Sequence, residues 1–369
     1  DDGGVRHILK NPLIIMFAIE IPAGYTAILK GPASAKCINS CRVFGGLFKN
    51  IEVPLYKQYP VEGPAVIYIE EGSVTLVAGS TIPEDWNIET EGAVALVGPT
   101  DSGKSSLSTY LVNRHVAGGK RVCVIDADVG QSDIGPPGFV TYSCTSAPVL
   151  HISQLQPLDG YYVGTVNLQG VEDLLVAGVV QCFKKASANY PHLIIINTPG
   201  WTTGRGLQML WSIIDAVKPT VLNIGEVVLP GRLLSRPRHI LQRGPQERRE
   251  LRNYAYRRHI SLIKKIQIPY ESLAFCKWER GGLSCPWGRY VAADVEEPQR
   301  RGREIAVPPH YFKNVFAALY KKGRLVGYAV FEKFEPSPSA YVSTDDFDEV
   351  RVGKIRVDPH GLQELEPLP

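Results

Sequence analysis

The chain has 369 residues, 44% of them hydrophobic and 21% charged, with a formal net charge of +3. These values fit a globular protein with core enough for two or three domains. No stretch approaches the ~20 apolar residues of a membrane-spanning helix, and no charged leader with an apolar core and cleavage site opens the sequence. The expectation is an intracellular, cytoplasmic protein with no membrane partner.

The charge is unevenly placed. Between Arg232 and Lys265 stand eleven Lys or Arg against only Glu247 and Glu250, so this segment is far more basic than the chain as a whole. The seven cysteines (Cys37, Cys41, Cys123, Cys144, Cys182, Cys276 and Cys285) show no Cys-x-x-Cys pairing. A zinc site is therefore not expected, and buried thiols are.

In chain order, residues 1–88 are rich in short Val, Ile, Thr and Tyr runs broken by Gly and Pro. "LIIMFAI" (Leu13–Ile19) reads as a strand, and "AVIYIEEGSVTLVAG" as strand, Glu-Glu-Gly turn, strand. This predicts an N-terminal all-β, sandwich-like domain. From residue 89 the pattern changes: "GAVALVG", "KRVCVID", "HLIIIN" and "PTVLNIG" are short buried strands. Helical spacing appears between them in "GKSSLSTYLVNRHVAGG", "VEDLLVAGVVQCFKKA" and "GLQMLWSIIDAV". Alternation of this kind predicts an α/β domain with a doubly wound, mostly parallel sheet over residues 89–266. From 267 to 369 a β-rich domain is expected, with "FAALYKKGRLVGYAVFEKF" as a hairpin, "EVRVGKIRVD" as a strand and "DPHGLQELEPLP" as a frayed end.

"GPTDSGKS", Gly98–Ser105, matches G-x-x-x-x-G-K-[ST] between a predicted strand and a predicted helix, the context that gives the motif meaning. Backbone N–H groups of Gly98, Pro99, Thr100, Asp101, Ser102, Gly103, Lys104, Ser105 and Ser106 (proline excepted) are positioned to wrap a nucleotide phosphate. Lys104 reaches the β- and γ-phosphates, and Ser105 ligates Mg²⁺. A nucleoside triphosphate with magnesium is the implied ligand. The next strand ends in "DAD". Residues i and i+2 of a strand share a side, so Asp126 and Asp128 crowd each other unless a cation lies between them. A P-loop protein supplies that cation as Mg²⁺ held by a strand-end carboxylate. One carboxylate suffices for the metal, leaving the other to orient or deprotonate a nucleophile.

"NTPGW" resembles a GTPase D-x-x-G switch with Asn197 at the metal-side position, but no Asn-Lys-x-Asp reads guanine. "RGPQERRELRNYAYRRHI", Arg243–Ile260, has helical spacing that sets Arg248, Arg252 and Arg249 one or two turns apart. Such a helix closes over bound ATP as a lid, tracks a nucleic-acid backbone, or is a solvated basic face. Trp201, beyond the sheet's carboxyl edge, either stacks on a base or packs under the sheet.

The P-loop, "DADVGQ" with its second Asp 24 residues after Lys104, "NTPGW" and the late Arg-rich helix together resemble the polynucleotide 5′-hydroxyl-kinase family. That family includes the kinase subunit of messenger-RNA cleavage factor, pre-ribosomal-RNA processing kinases and archaeal relatives. The resemblance implies transfer of the ATP γ-phosphate to the 5′-OH of RNA, with DNA also open, and RNA-processing partners on the β domains. By motif position, Lys104 and Asp128 are implied as catalytic, with Arg248 and Arg252 as lid arginines (lid about 231–262). Asp126 is implied as the metal-side carboxylate beside Ser105, and Gln131, Thr198, Gly200 and Trp201 as substrate contacts. Two other readings stand beside it: an ATP-bound scaffold without turnover, and a SIMIBI-type regulatory NTPase.

Overall fold

A computed structural model of the chain describes residues 17–369. They form two compact units, one ending at Thr81 and one running from Ile82 to Pro369. No described helix is long and apolar enough to cross a membrane. The strand expected over Leu13–Ile19 lies outside the described residues up to position 16; strand is present over Phe17–Ile21.

The first unit holds a five-stranded sheet built around the 19-residue strand Tyr25–Val43, and every pairing in it is antiparallel. The expected hairpin at Glu70-Glu71-Gly72 is instead a bend in one continuous strand, Ala65–Ala78. Gly72 has φ +100°, and a Cβ there would stand 2.4 Å from that of Ala33. The register against Tyr25–Val43 shifts at this point, so the extra residue is absorbed as a bulge rather than a turn.

The second unit opens with β1 (Gly92–Val97), α1 (Lys104–Ala117), β2 (Val122–Asp126), β3 (Phe139–Thr145) and β4 (Asp159–Tyr162). It continues through α2 (Glu172–Ser187), β5 (Leu193–Asn197), α3 (Gly204–Val217), β6 (Thr220–Ile224) and β7 (Arg232–Leu234). The sheet order is β7-β6-β1-β5-β2-β3-β4, parallel from β7 to β2 and antiparallel beyond. β2 and β5 are wholly buried runs of mainly Val and Ile, the composition of a parallel strand covered on both faces. α2 carries Glu172 and Asp173 in its first turn and Lys184 and Lys185 in its last, complementing the helix dipole. The register aligns Asn197 with Asp126 on one side and Leu96 on the other. The motif-bearing strand ends thus lie together at the carboxyl edge, where open α/β sheets bind ligands.

The basic segment forms α4 (Pro245–His259), begun by Pro245 at its first position and by Glu247, which accepts from Gly244 N at 2.7 Å. The β-rich part is a seven-stranded sheet whose centre is β8 (Val315–Lys321), β9 (Arg324–Lys333) and β10 (Glu349–Val357), with the hairpin β8–β9 as expected. A five-stranded sheet over residues 277–307 packs beside it through the core shared by Leu283, Tyr290 and Val307. The end expected to fray does not: β11 (Glu364–Leu365) pairs with β10, and Leu368 is buried.

The expectation of buried thiols is also corrected. Cys37–Cys41, Cys123–Cys144 and Cys276–Cys285 are disulfides, and only Cys182 is a free thiol. The sequence hides this because Cys123 and Cys144 are far apart in the chain yet directly opposite in the β2–β3 register. Burial pushes the Cys182 thiol up to about 12, which makes it inert.

Candidate active site

The turn from Gly98 to Gly103 joins β1 to α1. Gly103, the cap of α1, has φ +104°, a region L side chains rarely enter. Pro237 covers it, and a Cβ on Gly103 would stand 2.7 Å from the Pro237 ring. Gly200 is needed for a different reason: its backbone lies against the loop, and a Cβ there would stand 2.4 Å from Thr100 Oγ1 and 2.6 Å from Thr100 N. Ser105 and Ser106, on the first turn of α1, are partly exposed, whereas Ser102 is buried with its Oγ unpartnered.

Lys104 is buried, and its Nζ donates to the carbonyls of Gly98 (2.8 Å) and Pro99 (2.9 Å). Burial pushes its pKa down; the Asp128 and Asp101 carboxylates pull it back up, and Arg236 lowers it further. The Asp128 pKa is raised, chiefly by burial, against the opposing Lys104 cation. Lys104 and Asp128 therefore share one electrostatic site, as the motif spacing implies. Asp128 Oδ1 accepts from Gln131 N at 3.1 Å, and Gln131 Nε2 donates to Gly130 O at 2.7 Å, so Gln131 closes the turn that presents Asp128.

Asp126 does something the sequence does not announce. Its fully buried carboxylate accepts from Asp133 N (2.6 Å), Ile134 N (3.1 Å), Ser132 Oγ (3.3 Å), Asp128 N (3.3 Å) and Asn197 Nδ2 (3.2 Å). Burial, with Asp133 and then Asp128 adding to it, pushes its pKa up to about 7, against the opposing backbone donors of Asp133 and Ile134. It is the anchor of the loop that carries Asp128. Asn197, buried beside it, has an unpartnered Oδ1. The donor set fits magnesium in a particular way. Among the described residues no group of three or more His, Cys, Asp or Glu is placed to hold a metal. Ser105, on the first turn of α1, is partly exposed. Mg²⁺ keeps several waters and leans on substrate phosphates; Ser105, Asp126 and the Asn197 amide oxygen are the oxygen donors that would hold it beside those phosphates.

Two expected contacts are placed elsewhere. Thr198 is fully buried and its hydroxyl donates to Leu96 O at 2.7 Å, tying β5 to β1; it has no hydrogen left for a substrate. Arg252 pairs with Glu364 at 2.7 Å on β11, and Arg249 donates to the Glu364 carbonyl, so this part of α4 is bound to the C-terminal sheet. Trp201, in the loop before α3, is partly exposed and lies against the first turn of that helix, where a Cβ on Gly206 would stand 2.4 Å from its ring.

Arg248 does reach the P-loop. Its Nη2 donates to Asp101 Oδ2 at 3.0 Å, and Arg243 donates to the same carboxylate from Nη1 (3.0 Å) and its backbone N (3.3 Å). Sequence reasoning missed the part played by Asp101, Arg243 and Arg236. The available signal was Asp101 itself, the one acidic residue of the P-loop in a chain whose Arg-rich helix carries only Glu247 and Glu250 against five arginines.

Residues 98–227 match the family model for the mRNA cleavage and polyadenylation factor CLP1 P-loop. Part of the chain is similar to a polyribonucleotide 5′-hydroxyl-kinase of Pyrococcus horikoshii, 30% identical over 149 residues, and to one of Thermococcus kodakarensis, 33% identical over 129. It is also similar to the polynucleotide 5′-hydroxyl-kinase NOL9 of Arabidopsis thaliana, 30% identical over 161 residues. Over this part of its length the chain is similar to the CLP1 P-loop family and to polynucleotide 5′-hydroxyl-kinases. The matched segments cover 38%, 35% and 38% of this chain, and 41%, 36% and 44% of those relatives' own lengths. A chain of the solved wild-type Clp1p–Pcf11p complex aligns with a TM-score of 0.68 and 14% identity, over 93% of this chain and 98% of that one. The likeness of fold to that chain therefore extends well beyond residues 98–227.

Proposed function

We propose that the chain is an ATP- and Mg²⁺-dependent kinase acting on the 5′-hydroxyl end of a polynucleotide, RNA foremost. The observation that carries this reading is that Arg248 of α4, with Arg243 just before the helix, is paired to Asp101 of the P-loop, where Lys104 and Asp128 lie close enough to act on each other electrostatically. A simple ATPase needs a P-loop; an acceptor hydroxyl also needs a base, and cations over the transferred group.

In this reading Asp128 takes the proton of the 5′-hydroxyl as that oxygen bonds to the γ-phosphorus and the bond to the ADP oxygen breaks. A carboxylate whose pKa is raised by burial is a better base than an exposed one. Magnesium, when bound, neutralises charge on the phosphates. Lys104 and Arg248 offset the charge that spreads over the γ-phosphoryl oxygens, and Asp126 keeps the Asp128 loop in register. The work is positioning and electrostatics.

The test is transfer of labelled γ-phosphate to short 5′-OH RNA, 5′-OH DNA and no acceptor, side by side. Asp128→Asn is expected to lose transfer by at least ~100-fold while still binding ATP, and Lys104→Ala to lose both. Full turnover in Asp128→Asn removes the base assignment. ATP binding with no transfer to either acceptor favours a nucleotide-bound scaffold, a role suggested by the fold neighbour having been solved in a complex with Pcf11p. Hydrolysis independent of acceptor favours a regulatory NTPase.

A further inference from the structure

Asp101 is the one carboxylate in the P-loop, and it occupies a left-handed backbone position, φ +55°. Acidic side chains next to a triphosphate site oppose the ligand, so a functional reason for this one is required. Its surroundings supply it. Arg243 and Arg248 both close on it at 3.0 Å, and all three side chains are largely buried, at 20%, 34% and 13% exposure for Arg243, Arg248 and Asp101. The Nε of Arg248 is buried with no hydrogen-bond partner. Lys104 lies close enough to feel Asp101, and Arg236 close enough to feel Lys104.

α4 is fixed unequally along its length. Its carboxyl half is packed through Ala255, Tyr256 and Ile260, and Arg252 and Asn253 are tied to Glu364. Gly244 and Pro245 at its amino end are exposed, and there the docking to the P-loop runs through Asp101. A rigid strut ending in a charged clamp is suited to setting a guanidinium at a fixed place over a phosphate.

Building on the kinase reading, we propose that Asp101 is a positioning residue for phosphoryl transfer: it clamps Arg243 and Arg248 over the P-loop so that Arg248 is pre-oriented toward the γ-phosphate. The Asp101 side chain itself touches no substrate. The unpartnered Nε–H is the donor available to the phosphoryl oxygen, and the Asp101 pair fixes where it points. Preorganised donors of this kind act on the transition state more than on binding.

The informative variant is Asp101→Asn, because Asn tolerates the left-handed backbone as Asp does and only the charge changes. Removing a negative charge beside the phosphates leaves ATP affinity, read by direct titration, equal or tighter. Transfer is expected to fall about tenfold or more in kcat, with no rise in KM for ATP. Once Arg248→Ala is present, adding Asp101→Asn should cost nothing further. A purely structural Asp101 predicts the opposite split, with weaker ATP binding and additive losses, and either result overturns the proposal. A second readout does not depend on the kinase reading: limited trypsin digestion of the nucleotide-free full chain. Cleavage after Arg243 and Arg248 should be slow in the parent and at least ~10-fold faster in Asp101→Asn, following the population of the opened segment. Equal cleavage rates refute the clamp. If the parent protein transfers no phosphate, the kinase reading fails and the proteolysis alone decides whether the clamp exists.

Discussion

At the scale of single residues, Asp126 decides how the acidic pair should be understood. A carboxylate that served only as a metal ligand would be a liability without metal, since burial and its two acidic neighbours raise its pKa. Replacing it would then cost little in metal-free protein. The five internal donors argue otherwise, because Asp126→Ala leaves the buried N–H groups of Asp133 and Ile134 without an acceptor. Each such orphan costs roughly 1–3 kcal/mol. The expected loss is about 3 kcal/mol in chelator-treated protein, measured by urea denaturation. An unchanged midpoint would return Asp126 to a purely metal-binding role. Asp128, held by a single turn of backbone, should be replaceable by Asn at far smaller cost, so stability and transfer activity separate the two aspartates.

At the scale of elements, α4 shows which parts of the site could be read from sequence and which could not. Its helical spacing, its Pro245 start and its basic character are local, and local properties survive the passage from sequence to structure. The partner of each arginine is not local. Arg248 and Arg252 are one turn apart on the same helix, yet one meets Asp101 of the P-loop and the other Glu364 near the end of the chain. The P-loop turn and the strand end carrying Asp126 and Asp128 are legible in the sequence because both are built from neighbours within a few residues. The bond from the Thr198 hydroxyl to Leu96 O is not legible in the motif, because a hydroxyl that closes a sheet and one that grips a substrate look alike there. His259 at the end of the same helix makes a related point. A histidine at a helix C-terminus usually gains from the dipole when protonated. Here burial, with Arg258 adding to it, pushes its pKa down to about 4. Its folded pKa lies below the unfolded value, so its contribution is fully present above about pH 6.5 and is lost as pH falls through 4. The thermal midpoint of His259→Gln should therefore gain on the parent as pH drops from 6.5 to 4. A constant difference across that range would show that His259 charges without penalty.

At the scale of the whole second unit, the nucleotide sheet and the C-terminal sheet are joined by a core to which both contribute. Phe139 and Tyr162 from β3 and β4 meet Phe316 and Tyr328 from β8 and β9, with ring centroids from 4.6 to 6.2 Å apart, and Tyr256 of α4 joins the same cluster. Hydrogen bonds cross the seam as well: Tyr162 donates from its hydroxyl to Phe316 O, and Tyr320 from its hydroxyl to Gly160 O. Close approach of the two backbones explains a glycine, since a Cβ on Gly353 would stand 2.6 Å from Gly164 Cα. This seam is what holds the foot of α4 while Asp101 holds its head, so damage in the C-terminal sheet should be felt at the P-loop. Phe316→Ala, fully buried, is expected to cost about 3–5 kcal/mol. More diagnostic than the size is the form of the transition. If the seam is one cooperative core, the indole fluorescence of Trp201 beside the P-loop and that of Trp278 in the C-terminal part must shift to the same lower denaturant concentration. Single-Trp variants would report each in turn. Loss at Trp278 alone, with Trp201 unchanged, would mean that the nucleotide sheet stands without its partner and that the clamp on α4 acts independently of the C-terminal fold.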